Sequence, residues 1–203
     1  MLGIQLDLTS YFSRLSDELR QIDQAAAGQL ADWLFEAYQS GRTVFIIGNG
    51  GSAANASHMC EDLAKCSLTD EELRADGVRR LKILSLGDNT PWITAIGNDC
   101  GYDQVFVQQL KHFGQPGDVL VAISGSGNSK NILAAVEWAN RAGLRTFGLT
   151  GYDGGKLKSM AQAGLHVQID DMGIVESVHS CLLHWLVGDL HARIHATGRY
   201  ATK

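Results

Sequence analysis

Apolar residues recur at three- and four-residue steps from residue 7 to about residue 40, with charged residues between them: Leu15, Leu19, Ile22, Ala26, Leu30, Trp33, Leu34 and Ala37. That period aligns them along one stripe of a helix. The segment is long and alanine-rich and precedes the first strand. It predicts one helix, or a bent pair, with few partners inside one subunit and a surface for oligomerisation. Downstream the period changes. Short β-branched and aromatic runs predict strands at 43–47 (TVFII), 82–86, 119–123 (VLVAI), 145–150 and 165–169. Between them, helical patterns cover 53–65, 91–96, 131–142, 156–163 and about 174–195, while the polar stretch 67–80 reads as a loop with a helical turn.

Strand, glycine turn and helix recur three times, at intervals too long for hairpins. Parallel strands with crossover helices follow, giving an α/β fold: a three-layer αβα sandwich around a central parallel sheet. Near-continuous apolar strands fit a sheet covered on both faces. At 203 residues the chain predicts a single domain over 1–203, with a helical segment 1–40 and an α/β core 41–203. Ligands of such sheets sit at the carboxyl ends of the strands.

Composition adds three constraints. The net charge of −5 gives no basic field to attract nucleic acid or an anionic membrane, so an anionic ligand needs local donors. No stretch reaches the apolar length of a membrane span, and MLGIQLDLTSYF lacks a basic region followed by an apolar run, so a cytoplasmic location is expected. Cys60, Cys66, Cys100 and Cys181 have no CxxC spacing and read as reduced, mostly buried thiols.

The 23 glycines concentrate in short clusters at the ends of predicted strands. Gly48-Asn49-Gly50-Gly51-Ser52 follows the first strand and opens a helix, so its amides and the helix N-terminus can face an anion. It matches neither GxxxxGK[ST] nor GxGxxG. Ser124-Gly125-Ser126-Gly127-Asn128-Ser129 follows the third strand, and three hydroxyls with a helix terminus can satisfy a phosphate without lysine or arginine.

These loops resemble those of the sugar isomerase (SIS) domain, and more closely its phosphoheptose isomerase branch. The matching stretches are IIGNGGSAANASHMCEDLA (46–64), SLGDNTPWITAIGNDCGYDQVF (85–106), GDVLVAISGSGNSKNI (117–132), GLTGYDGGKL (148–157) and VHSCLLHWL (178–186), in family order. The resemblance implies a flavodoxin-like SIS fold. It also implies aldose–ketose isomerisation of sedoheptulose 7-phosphate for heptose precursor synthesis, and a homotetramer with active sites at subunit boundaries. Ser124, Ser126 and Ser129, with the Gly125 amide, would take the phosphate. Asn49, Gly50, Gly51 and Ser52, with Asn98 and Asp99, would hold sugar hydroxyls. Two other readings of the fold remain: a non-enzymatic tetrameric adaptor of the kind associated with a replication initiator, and an isomerase of another phosphosugar.

His58 and Asp62 are four residues apart on one helix face, with Glu61 beside them, and Glu176 and His184 share a side of the last helix. On spacing alone, a zinc site and locally packed histidines are both open. The resemblance implies one zinc ion per subunit on His58, Asp62, Glu176 and His184. Asp62 would then be the base, with Glu61 or Glu176 as substitutes, and His184 the partner acid. Asp62 stands where the family has Glu, Glu176 where it has Gln, Gly125 where it usually has Thr, and Gly173 where it tends to have Asp.

Overall fold

The computed structural model describes residues 5–201. Five strands, β1 (Thr43–Ile47), β2 (Lys82–Ser85), β3 (Val119–Ser124), β4 (Arg145–Thr150) and β5 (Ala163–His166), form one sheet in the order β2-β1-β3-β4-β5. Every pairing is parallel, and Val44 sits between Ile83 and Val119. Side chains alternate between the two faces. Val44, Ile46, Val119, Val121 and Ile123 join one apolar cluster; Phe45, Ile47, Leu120 and Ala122 join the other.

Nine α-helices cover the sheet among the described residues: α1 (Leu8–Arg20), α2 (Gln24–Ser40), α3 (Gly51–Lys65), α4 (Asp70–Arg74), α5 (Thr90–Cys100), α6 (Val107–Phe113), α7 (Lys130–Arg141), α8 (Leu157–Met160) and α9 (Met172–Ile194). Leu30 and Leu34 of α2, Met59 and Leu63 of α3, and Val178 and Leu186 of α9 fill the first cluster. Leu110 of α6 and Ile132, Ala135 and Val136 of α7 fill the second. The three expected layers are present.

The N-terminal stripe forms the bent pair of helices and departs from expectation only in its burial. It breaks at Gln21–Asp23, because the Asp23 side chain accepts from the amides of Ala25 and Ala26 at 2.9 and 3.0 Å and starts a second helix. Helix α2 is not left for a partner: Leu30, Leu34 and Ala37 are fully buried inside the subunit. The cysteines are free, but Cys100 and Cys181 are exposed rather than buried. Burial pushes the Cys60 thiol up, and burial together with Asp62 raises Cys66, so both stay protonated near neutral pH.

Candidate active site

β1 and β3 are neighbours from which the chain continues in opposite directions across the sheet, so a crevice opens above their carboxyl ends. Both glycine loops lie there. Gly50, at φ 55°, turns the chain from β1 into α3 in a conformation that L side chains rarely adopt. The second loop is braced by the turn after β4: Gly151 N–H donates to the Gly125 carbonyl at 2.8 Å and Leu157 N–H to that of Gly127 at 2.9 Å. A Cβ on Gly127 would overlap the Gly154 carbonyl, so two backbones meet where no side chain fits.

Side chains cap most of the longer helices: Asp7 on α1, Asp23 on α2, Asn89 on α5 and Asp171 on α9. α3 and α7 have no such cap. The amides of their first two residues are left to be satisfied from the crevice, as an anion would do. A cavity of about 170 Å³ sits between them, lined by Asn49, Ser52, Ser124, Gly125, Ser126, Ser129, Met172 and Glu176. Ser124 and Ser129 hydroxyls are 3.4 Å apart, and the Ser126 hydroxyl accepts from the Asn128 amide at 3.3 Å. The expected phosphate serines therefore converge, among neutral donors. Met172 was not singled out in the sequence. Its thioether lies over Gly125 in the space a Cβ would need, so it walls the cavity where a larger residue at 125 would stand.

The acid–base candidates separate into two groups. His58, Asp62 and His184 come together, with ligand atoms all within 4.8 Å of one another. His58 Nε2 is 3.2 Å and His184 Nε2 is 4.0 Å from Asp62 Oδ2, and the two imidazoles meet edge to face at 5.0 Å. His184 Nδ1 lies 2.9 Å from the Ser180 carbonyl; an N–H there donates to it and leaves Nε2 as the free atom toward Asp62. Two imidazoles and one carboxylate suit a divalent zinc ion with a position left for an exogenous ligand.

Two other candidates fall elsewhere. Glu61 pairs with Lys65 at 2.6 Å and does not join the trio. Helical spacing explains it: Glu61 is one residue off the His58–Asp62 line, about a quarter-turn round. Glu176 also stands apart from the trio, because its carboxylate rests against Gly51 and borders the phosphate cavity. Eight residues of α9 separate it from His184, about 12 Å of rise, so the two side chains must lean together to share one ion, and here the Glu176 carboxylate lies at Gly51 instead. Asn98 and Asp99 are exposed at the end of α5, where they bond each other at 2.8 Å and do not border the cavity.

The chain matches the SIS domain family over residues 9–151. It is 38% identical over 157 residues to the probable phosphoheptose isomerase of Thermoplasma acidophilum, covering 77% of this chain and 82% of that one. With the phosphoheptose isomerase of Helicobacter pylori it shares 36% identity over 90% of its own length and 91% of the relative's. A solved phosphoheptose isomerase from Neisseria gonorrhoeae superposes with a TM-score of 0.80 at 30% identity, over 94% of this chain and 98% of that one. On the fold, the two phosphate-type loops and these likenesses together, the chain belongs to the SIS domain family, in its phosphoheptose isomerase branch.

Proposed function

We propose that this protein is a phosphoheptose isomerase, interconverting sedoheptulose 7-phosphate and D-glycero-D-manno-heptose 7-phosphate for the synthesis of heptose precursors of cell-surface polysaccharide in the cytoplasm. The observation that carries the reading is a cation-free phosphate cavity with a His–Asp–His cluster further along the same helix. Glu176 at the cavity and His184 at the cluster are separated by about 12 Å of helix, and a seven-carbon chain with its terminal phosphate extends roughly 10 Å at bond lengths near 1.5 Å. With the phosphate among Ser124, Ser126 and Ser129, a chain of that length has the span to carry C1 and C2 toward the cluster.

The amides opening α7 and the three serine hydroxyls hold the phosphate, and Asn49, Gly50, Gly51 and Ser52 at the start of α3 follow the sugar chain. The Asp62 carboxylate accepts the C1 proton of the ketose and returns it at C2 of the enediol. His184 is the imidazole set further from that carboxylate, with its ring fixed by Ser180, and its Nε2 passes the hydroxyl proton from O1 to O2. Zinc, held by His58 and Asp62 with His184 beside them, would polarise the carbonyl as a Lewis acid. Glu176 orients the hydroxyls nearest the phosphate rather than ligating the ion.

Asp62→Asn tests the assignment, since it keeps the shape and removes the base. Turnover of sedoheptulose 7-phosphate is expected to fall by at least about 100-fold, the scale of one lost general base. Wild-type protein that exchanges no C1 or C2 proton into deuterated water with any C5–C7 sugar phosphate would falsify the isomerase reading.

A further inference from the structure

Asn131 opens α7, is 2% exposed, and does not border the phosphate cavity. Its side chain makes a reciprocal amide pair with Asn49, 82 residues earlier in the first glycine loop. Asn131 Nδ2 donates to Asn49 Oδ1 at 2.9 Å, and Asn49 Nδ2 donates to Asn131 Oδ1 at 2.9 Å. Asn131 Oδ1 also accepts the Ile132 amide at 3.0 Å, and Asn49 Oδ1 accepts the Tyr102 hydroxyl at 3.0 Å. Both amide oxygens thus use their two acceptor sites, and only one N–H of Asn49 remains for a ligand.

We propose that Asn131 is a positioning residue: with Tyr102 it clamps the first glycine loop to the start of α7, so that the donors of both loops face one phosphosugar. The two loops leave different strands and share no backbone hydrogen bond across this gap; the amide pair supplies the link. Asn131 itself lies in the low-dielectric interior, so breaking the pair is costly on its side, where a freed amide has no water to turn to. Tyr102 brings in the segment after α5 as a third element, and as a residue it is 59% exposed, so the outer end of the latch meets solvent while Asn131 at its inner end is buried. The clamp rests on the isomerase reading only for where the sugar lies.

The experiment compares inorganic phosphate with sedoheptulose 7-phosphate by calorimetry on wild type, Asn131→Asp and Tyr102→Phe. Asn131→Asp keeps the acceptor and turns the donor to Asn49 Oδ1 into a repelling oxygen. Its affinity for the phosphosugar is expected to fall about tenfold or more, while that for inorganic phosphate stays within about threefold, since one loop suffices for phosphate. KM should rise by more than kcat falls. Tyr102→Phe should move the phosphosugar in the same direction by a smaller factor. If Asn131→Asp fails to fold, Asn131→Ser and Tyr102→Phe carry the same comparison. Equal losses for both ligands, or no loss for either, overturn the clamp. Wild type that binds the phosphosugar without converting it overturns the isomerase reading alone.

Discussion

At the scale of single residues, the chemistry divides between groups that face the crevice and one that does not. His179 lies on α9, fully buried, with no hydrogen-bond partner of good geometry for either ring nitrogen. Burial holds its pKa down at about 4; the Thr150 backbone opposes this, and the nearby His166 adds to it. In the unfolded chain the imidazole takes a proton near its ordinary value of about 6.5, so below that pH the unfolded state binds more protons than the fold. Stability is therefore lost as pH falls from about 6.5 towards 4. Between pH 7 and pH 5 this one group accounts for about 2 kcal/mol. His179→Leu, which keeps an apolar body of similar size, should flatten that part of the profile when urea midpoints at the two pH values are compared. An unchanged profile in the variant would move the acid sensitivity to other groups. Helical spacing already sets His179 about 140° round α9 from His184, five residues on; that its side faces the core and not solvent is settled by the packing of α9 on the sheet.

At the scale of elements, the loops are where sequence and structure agree most closely, and the reason is steric. Glycine is needed where a backbone must pass close to another, and such places are few. Gly127 and Gly41 show the distinction. Both have positive φ, 63° and 68°, but Gly41 at the end of α2 has open space where a Cβ would go, while Gly127 faces the Gly154 carbonyl. Gly41→Asn should cost less than about 1 kcal/mol, since Asn tolerates the left-handed region. Gly127→Asn should cost about 3 kcal/mol or more and abolish phosphate binding, because the brace between the two loops must part. Thermal midpoints and phosphate titrations of the two variants test this directly; a tolerated Gly127→Asn would mean that the brace is dispensable. Elements with weaker patterns were less legible. α6 lies in VFVQQLKHF, whose apolar residues crowd its start instead of repeating, and no helix was expected there. β5 begins at Ala163, two residues before the expected strand, and ends three before its expected end. The small pair Ala163-Gly164 carries no strand signal, yet a Cβ at Gly164 would strike the Gly148 carbonyl of β4. The expected helix over 156–163 shrinks to Leu157–Met160 because Ala161 turns extended to enter that strand.

At the scale of the whole molecule, one subunit leaves a face that its own core does not use. Leu8 and Phe12 of α1 are 69% and 55% exposed, and Trp185 of α9 is 40% exposed. A cavity of about 560 Å³ opens at Trp185, lined also by Leu19 and Ile22 from the end of α1 and by Cys181 and Leu182, with Arg199 over the Trp185 ring at 5.0 Å. Exposed apolar groups gathered on one side are the ordinary mark of an association surface. The expectation of a homotetramer therefore moves from the N-terminal segment as a whole to α1 and the outer side of α9, since α2 is already consumed by the core. Trp185 follows His184 directly, about 100° round the helix, so the surface a partner would cover adjoins the His–Asp–His cluster. Association through this face would link assembly to catalysis through α9. If copies associate through this face, light scattering coupled to gel filtration should find the wild type larger than one chain, and Trp185→Glu should shift it to smaller species and lower turnover, while far-ultraviolet circular dichroism stays that of the folded chain. If the dissociated variant keeps full turnover, each subunit holds a complete site and the partner contributes nothing to the chemistry.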